Sequence, residues 1–402
     1  MAERQFRLMR RNRLLFYSQY AFFGRLYAVF QQLCADFGLD GYVITHEKTP
    51  VPQVYSRTGY LSPQSAGLQQ VPSFVTVVPH DLSLPQKLAL LKRRIREIRP
   101  DFIWAHEEPN EFYVNHILRW IYLWRSTRIV VPVVENVWPV DKSVAARLAW
   151  CRRKLFWRRY DGVMACATKS LEAVIRFGMP GRVPAQIAGL PISSPPPANG
   201  NGNVSYLPAK LPGEFVIGFV GRIMAAKGWR VLLAALTLLP ENFKCWIAGG
   251  GEEEAELRLW SFLPEIRSRL HYAGLLDGDQ IWNFYRHLDL LVLPSLTTPQ
   301  WMEQFGHVLA EAMACGVPLI GSSSGSIPEV IGDCGMVFEE GNPTALAQAI
   351  QSMASDAHRR TAYAERGRRR FNEEYSYKAY AGKIGAVFGL KPAGTTVTSG
   401  SK

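Results

Sequence analysis

Cysteine is scarce in this sequence and is not clustered. The six cysteines form no C-x-x-C pair, which argues against a disulfide framework or a zinc site and favours a reducing compartment. No apolar run reaches the ~18 residues of a membrane-spanning helix. The basic N-terminus leads into a stretch that contains Ser, Gln and Arg and lacks a cleavage signature, which predicts a strand and a helix rather than a signal peptide. We therefore expect a cytoplasmic protein.

Acidic residues are sparse in the first half only. Residues 1–200 carry 27 Lys/Arg and 14 Asp/Glu, a balance of +13, whereas residues 201–402 carry 19 and 20, a balance of −1. This asymmetry favours an anionic partner for the first half, either a lipid membrane or a phosphorylated acceptor. A basic surface in contact with solvent is the simpler alternative. Nucleic acid is not expected as a partner, because no binding motif accompanies the charge.

Most of nine short apolar runs lack the period-2 alternation of half-buried strands, which predicts parallel strands buried on both faces. Helical patterns between them indicate βαβ units and an α/β fold with doubly wound sheets. The predicted strands are Leu14–Tyr17, Gly41–Thr45, Phe102–Ala105, Ile129–Val134, Gly162–Ala165, Val216–Val220, Phe243–Ala248, Leu288–Leu293 and Pro318–Gly321.

The segment 191–213 is rich in Pro, Gly and Asn and interrupts both periodicities. A chain of 402 residues is also long for a single core. We therefore expect two Rossmann-like domains, 1–200 and 201–390, which face each other across a cleft at the carboxyl ends of their strands. The last helix is expected to pack back on the first domain, and residues 391–402 to form a disordered tail.

The sequence GFVGRIMAAKG, residues 218–228, places two cations beside glycines just after a predicted strand. Arg222 offers a planar fork for phosphate and Lys227 a mobile point charge. No Walker motif is present, so a surface turn with two solvated cations is the alternative interpretation. Further on, Gly249-Gly250-Gly251 follows another strand, which favours either a backbone that clears a ligand or a plain flexible turn.

The strongest signal is EQFGHVLAEAMACGVP, residues 303–318, in which an FG turn opens a helix. Amides at residues 305–307 would face a diphosphate or a sugar hydroxyl. Glu303 precedes the helix and Glu311 lies two turns inside it, so one carboxylate can meet the sugar and the other a more distant group such as ribose. Glu311 is followed by apolar residues, so we expect it to be buried with a partner.

These motifs in this order resemble the retaining GT-B glycosyltransferases of family 4, also called glycosyl transferases group 1. The similarity extends from GFVGR through GGGEE, the YAGLLDGDQIWNFYRHLDLLVLPS block and E-x7-E to GVPLIGSSSGSIPEVI and GMVFEEGNPTALAQAI, which is nearly the whole second half. It implies that Arg222 and Lys227 bind the donor diphosphate, that Glu303 supports the developing positive charge of the donor sugar, and that Glu311 binds ribose. Phe305 and Gly306 would offer backbone amides, and backbone near Leu275 would meet the base.

The first half is less similar to this family. His106, in PDFIWAHEEPNEF, stands where members carry a histidine near the reacting sugar, which implies a catalytic role. Members often have a Gly-Gly pair after the first strand, near the donor phosphates, whereas AFFGR offers only Gly24. Gln304 occupies a position where a small residue is common. The resemblance also implies no metal and no cofactor beyond a nucleotide-diphosphate sugar, for which we expect UDP rather than GDP as the carrier.

Two basic segments of the first half could contact a membrane. Residues 147–160 (RLAWCRRKLFWRRY) interleave basic residues with aromatics, and residues 92–99 (KRRIREIR) add positive charge. Ordinary domain helices with arginines in solvent are the alternative.

Together these features predict a retaining hexosyltransferase in surface polysaccharide or glycolipid synthesis, with a glycan or lipid-linked acceptor, peripheral on the cytoplasmic membrane face. The alternatives are a GT-B-fold sugar-nucleotide epimerase and a soluble glucan or disaccharide synthase.

Overall fold

The computed structural model describes residues 11–18, 24–46, 74–106, 112–121, 126–134, 157, 159–176, 178–197, 206–276 and 278–393. Within these residues the first domain has a seven-stranded parallel sheet of order β3-β2-β1-β4-β5-β6-β7. Its strands are β1 (Arg13–Ser18), β2 (Asp40–His46), β3 (Val75–Val78), β4 (Phe102–Ala105), β5 (Arg128–Val133), β6 (Gly162–Ala165) and β7 (Ala185–Ile187). Its helices are α1 (Gly24–Phe37), α2 (Leu84–Ile98), α3 (Phe112–Ile121) and α4 (Thr168–Arg176).

The second domain has a six-stranded parallel sheet, counted over the same described ranges, of order β10-β9-β8-β11-β12-β13. Its strands are β8 (Phe215–Val220), β9 (Phe243–Ala248), β10 (Leu270–Gly274), β11 (Leu290–Leu293), β12 (Leu319–Ser322) and β13 (Gly335–Phe338). The helices that follow β8 are α5 (Trp229–Thr237), α6 (Glu254–Trp260), α7 (Pro264–Arg267), α8 (Gly278–Arg286), α9 (His307–Cys315), α10 (Ile327–Ile331), α11 (Pro343–Ser355), α12 (Ala357–Arg370) and α13 (Tyr377–Val387).

All nine strands expected from the sequence are present, and each is an interior strand of its sheet. The four edge strands, β3, β7, β10 and β13, were not predicted. Burial explains the difference: every residue of β6 and β11 is buried, whereas β7 and β10 contain no fully buried residue. An edge strand is paired on one side only and need not carry the continuous apolar run of a central parallel strand.

The chain crosses from the second domain back to the first through a π-helical turn, Phe371–Tyr375, that leads into α13. Helix α13 covers one face of the first sheet, where Tyr380, Ile384 and Phe388 share a core with Leu14 and Trp104. The same crossover forms an isolated bridge between Ile192 and Ser376. The last helix that the structure describes is therefore part of the core of the first domain.

The two domains also meet at the carboxyl ends of their strands. Cys166, directly after β6, points its thiol at the backbone carbonyl of Gln304, with Sγ and O 3.5 Å apart. Ala167 and Leu190 share an apolar cluster with Phe305 and Leu309 of the second domain. The carboxyl edges of the two sheets therefore face each other next to the loop that contains Glu303.

Candidate active site

Each sheet has a topological switch point, where the strand order reverses: between β1 and β4 in the first, and between β8 and β11 in the second. Ligands of open α/β sheets bind at such points, beyond the carboxyl ends of the strands. Gly24 begins α1 after β1, and His106 directly follows β4. Lys227 follows β8, and Glu303 follows β11. The residues selected from the sequence thus flank both switch points.

Lys227 and Glu303 form a direct ion pair, with Nζ 2.6 Å from Oε2. Both side chains are largely buried, at 18% and 7% exposure. Their two loops are joined through the backbone, because Leu296 N–H donates to the Ala226 carbonyl at 2.8 Å. Gly228, at φ +69°, allows the closest approach, since a Cβ there would lie 1.9 Å from the Pro294 carbonyl oxygen. The packing of these two loops therefore places this cation and this carboxylate in direct contact.

Two neighbours of this pair were not selected from the sequence. The Ser295 hydroxyl donates to Glu303 Oε2 at 2.7 Å, and the Lys227 ammonium lies 4.9 Å from the centre of the Trp301 ring. Such a cation–π contact stabilises an ammonium that has lost water. Ser295 is the last residue of the YAGLLDGDQIWNFYRHLDLLVLPS block, and Trp301 lies between that block and the E-x7-E motif, but neither residue was assigned a role from the sequence.

Helix α9 begins at His307 after Gly306, which adopts a left-handed conformation at φ +78°. The Phe305 side chain is 1% exposed, and its ring packs edge-on against Tyr375 at 5.3 Å between centroids. Phe305 can therefore offer a ligand its backbone only, as the resemblance implies, while its side chain belongs to the domain interface. A helix N-terminus next to Lys227 favours negative charge at this place.

Glu311 is only half-buried, although the residues around it are apolar. The hydroxyl of the fully buried Tyr285 donates to its Oε2 at 2.6 Å. Burial, together with the Glu311 charge, raises the pKa of Tyr285 well above its ordinary value. Tyr285 is the partner that was expected for this carboxylate, and the expected burial is only partial, because part of Glu311 faces solvent.

Arg222 is exposed and lies 3.7 Å from the carboxylate of Glu252. Gly249 and Gly251 allow two backbone segments to pack closely. A Cβ at Gly249 would lie 1.8 Å from the Gly221 carbonyl oxygen, and a Cβ at Gly251 would lie 2.4 Å from the Ile223 carbonyl oxygen. Close packing of the loop after β9 on the loop after β8 therefore accounts for these two glycines. This explanation differs from the two that the sequence suggested, a backbone that clears a ligand and a plain flexible turn.

Leu275 is 50% exposed and lies beside Gly250, the middle residue of the triple glycine. A Cβ at Gly250 would lie 3.0 Å from its Cδ1. Gly249 N–H also donates to the Gly274 carbonyl at 2.8 Å, directly before Leu275. Leu275 is therefore placed at the carboxyl edge of the second sheet, on the side of Arg222.

His106 is fixed at the end of β4, where its backbone N–H donates to the Tyr17 carbonyl at 2.8 Å. Its ring lies edge-on to Trp104, with 6.0 Å between centroids. A second histidine at this edge, His46 at the end of β2, was not selected from the sequence. Its Nε2 is 3.1 Å from the Tyr17 hydroxyl, and burial lowers its pKa to about 4.

The segment proposed to contact a membrane, residues 147–160, lies mostly outside the described residues. Trp157 and Tyr160 are described, and both are buried in the core of the first domain. Residues 92–99 lie on and directly after α2, where Ile95 and Ile98 face the core and Arg94 pairs with Glu97. None of the helices within the described ranges combines the length and the apolar character needed to cross a bilayer.

The described residues likewise contain no group of three His, Cys, Asp or Glu side chains that could hold a metal ion.

The segment that carries Arg222, Lys227, Glu303 and Glu311 also matches a known protein family. Residues 208–370 match the family model described as Glycosyl transferases group 1. This Glycosyl transferases group 1 segment covers less than half of the chain. It contains the second switch point and the start of α9.

Similarity to individual proteins extends further. The lipopolysaccharide core biosynthesis mannosyltransferase LpcC of Rhizobium leguminosarum bv. viciae is 27% identical over 296 residues, which are 71% of this chain and 77% of LpcC. An uncharacterised glycosyltransferase of Methanocaldococcus jannaschii is 31% identical over 168 residues, or 41% of this chain. The chain spans only 42% of the length of that relative.

Among solved structures, HepE of Anabaena in complex with UDP superimposes on this chain with a TM-score of 0.71. The two sequences are 18% identical, and the superposition covers 94% of this chain and 99% of HepE. This likeness confirms the predicted fold class, α/β with two Rossmann-like domains in the GT-B arrangement.

Proposed function

We propose that this chain is a retaining glycosyltransferase that moves a hexosyl group from a nucleotide-diphosphate sugar to a glycan or lipid-linked acceptor. The observation that carries the proposal is the Lys227–Glu303 pair, which lies at the switch point of the second sheet and next to the start of α9. This arrangement offers a cation and helix amides to a diphosphate and a carboxylate to the sugar attached to it.

The proposed division of roles follows from charge. Lys227 and the exposed Arg222 neutralise the diphosphate as it leaves, so that no metal ion is required. Glu303 stabilises the positive charge that develops on the sugar ring, and Glu311 accepts a hydrogen bond from the ribose. His106 would approach the reacting sugar from the first domain, with Gly24 beside the phosphates and Leu275 beside the base.

The acceptor is proposed from the relatives. LpcC is named as an enzyme of lipopolysaccharide core biosynthesis, and HepE has been solved in complex with UDP-glucose. The excess of 27 Lys/Arg over 14 Asp/Glu in residues 1–200 fits an acceptor at an anionic surface. We propose surface polysaccharide or glycolipid synthesis at the cytoplasmic membrane face, with UDP as the preferred carrier.

A thermal-shift screen with UDP, GDP, ADP and their common sugar conjugates tests the donor site. A ligand at 100 times its dissociation constant stabilises the folded state by about 2.7 kcal/mol. The shift should occur with one nucleotide family and should be lost in Arg222→Ala and Lys227→Ala. Failure of all three nucleotide families to stabilise the chain would contradict the proposal.

Product analysis separates the candidate reactions. A transferase converts the donor with an added glycan acceptor, and the anomeric configuration of the product, read by NMR, tests retention. Formation of an epimer without any acceptor would instead support an isomerase.

Sedimentation with anionic vesicles at low and high salt tests the membrane proposal, since electrostatic attachment weakens with ionic strength.

A further inference from the structure

The carboxylate of Glu303 accepts two hydrogen bonds of different character on one oxygen. Lys227 Nζ lies 2.6 Å from Oε2, and Ser295 Oγ lies 2.7 Å from the same atom. The ammonium carries a charge that any other anion can attract, whereas the hydroxyl is neutral. Both donors are attached to the loops that follow the two central strands of the second sheet.

The backbone around Ser295 is held from two sides. The Ser322 hydroxyl donates to the Ser295 carbonyl at 2.5 Å, which ties the residue to the end of β12. On the other side, Leu296 N–H donates to the Ala226 carbonyl at 2.8 Å. Ser295 itself is fully buried. Its hydroxyl is therefore directed at Glu303 by the packing of three loops.

Lys227 has two tasks under the proposed function, and they compete. It neutralises the buried Glu303, and it also meets the donor diphosphate. A diphosphate carries more negative charge than one carboxylate, so the ammonium is drawn toward it when the donor binds. Glu303 then depends more on its other donors to keep its orientation, and Ser295 is a neutral one, which the charge of a phosphate attracts less than it attracts an ammonium.

We propose that Ser295 is a positioning residue, which holds the Glu303 carboxylate in place for the donor sugar while Lys227 is shared with the diphosphate. This inference rests on the proposed function. The inference predicts that removal of the Ser295 hydroxyl slows the reaction of the donor sugar and does not change the affinity for the nucleotide. A residue that merely stabilised the fold would affect both.

The chain offers a matched control in Ser326. Its side chain is also buried, at 1% exposure, and its hydroxyl has no hydrogen-bond partner among the described residues. Only its backbone N–H contacts Glu303, at 2.9 Å from the carbonyl oxygen, and an alanine keeps this bond. Ser326→Ala therefore removes a buried hydroxyl from the same region without removing a bond to the carboxylate.

The test compares the wild type with Ser295→Ala, Ser295→Cys and Ser326→Ala. Calorimetry measures the affinity for UDP and for GDP, and steady-state kinetics measures the consumption of UDP-glucose, UDP-galactose and GDP-mannose in the presence of an added glycan acceptor. We expect Ser295→Ala to bind the nucleoside diphosphate within twofold of the wild type and to lose about tenfold in kcat, as for one hydrogen bond to a charged group. Ser295→Cys, which keeps a weak donor of similar size, should recover part of the loss, and Ser326→Ala should resemble the wild type.

The outcomes separate the inference from the function on which it rests. If the wild type consumes a donor and Ser295→Ala has unchanged kcat, the inference is wrong and the proposed function stands. Equal losses of nucleotide affinity and kcat, or equal effects of Ser295→Ala and Ser326→Ala, would also overturn it. If the wild type consumes none of the sugar nucleotides, the proposed function fails and the inference fails with it. If Ser295→Ala does not fold, kcat and nucleotide affinity are compared between Ser295→Cys and Ser326→Ala. A lower kcat for Ser295→Cys alone supports the inference, and equal kcat values contradict it.

Discussion

The carboxylate of Glu329 in the second domain accepts the backbone N–H of Thr168 in the first, with both of its oxygens at 2.9 and 3.1 Å. Thr168 is the first residue of α4, so the negative charge lies at the positive end of a helix dipole. Glu329 lies on α10, which directly follows the serine-rich loop that contacts Glu303. The contact therefore links the two domains close to the candidate active site.

Glu329→Gln should lower the free energy of unfolding by about 0.5 kcal/mol, since a surface charge at a helix N-terminus contributes roughly that amount. Urea denaturation at low salt would measure the loss. Glu340→Gln is a suitable control, because Glu340 accepts the N–H of Thr297 within one domain. The loss at Glu329 should shrink in high salt, and a loss independent of salt would argue against an electrostatic contact.

The Lys227–Glu303 pair should show strong coupling in a double-mutant cycle. Lys227→Met leaves a buried carboxylate without its cation and should cost about 3 kcal/mol of stability. The double variant with Glu303→Gln should regain much of this loss, because no unpaired charge remains. Chemical denaturation of the four proteins gives the coupling, and strictly additive losses would contradict the pairing.

Tyr285→Phe should cost about 2 kcal/mol, because it removes a buried hydrogen bond to the Glu311 carboxylate. The raised pKa of Tyr285 also predicts an alkaline effect. Above pH 10 the tyrosine loses its proton in the unfolded chain but keeps it in the folded chain, so stability falls as pH rises. Denaturation at pH 8 to 11 should show a shallower decline for Tyr285→Phe, and a decline as steep as that of the wild type would argue against the raised pKa.

His46 should make the protein less stable in mild acid. Burial, with a contribution from the Lys87 charge, lowers its pKa to about 4, against 6.5 for an ordinary histidine. Between these two values the unfolded chain binds a proton that the folded chain does not, so stability falls as pH drops, by up to about 1.4 kcal/mol for each pH unit. Denaturation at pH 7, 6 and 5 should give a shallower slope for His46→Gln, and a slope equal to that of the wild type would contradict this prediction.

The sequence was sufficient to predict the interior of both sheets, because a strand buried on both faces must be apolar along its whole length. It was insufficient for the edge strands, of which β7 has only three residues and no fully buried one. Arg222, Lys227 and Glu303 stood out because each lies near a strand end or a helix start that the pattern itself reveals, and Glu311 because it lies in an apolar stretch of the helix that follows.

The partners of those residues could not be predicted in the same way. Tyr285 meets Glu311 across 26 positions of sequence, and Ser295 meets Glu303 across eight. Neither spacing follows from the period of a helix or a strand, since packing of separate loops and helices creates the contact. His46 was overlooked for the same reason, because its burial beside Tyr17 arises only when β1 and β2 pair.

The position of α13 sets an order for folding during synthesis. Residues 377–387 are translated after the whole second domain, yet Tyr380 and Ile384 complete the apolar layer over Leu14 and Trp104 of the first domain. A ribosome-bound chain that has completed only the first sheet therefore exposes this layer while the whole second domain is made. Such exposed apolar surface promotes aggregation, so a fragment that ends before residue 377 should need a chaperone, or α13 supplied as a separate peptide, to remain in solution.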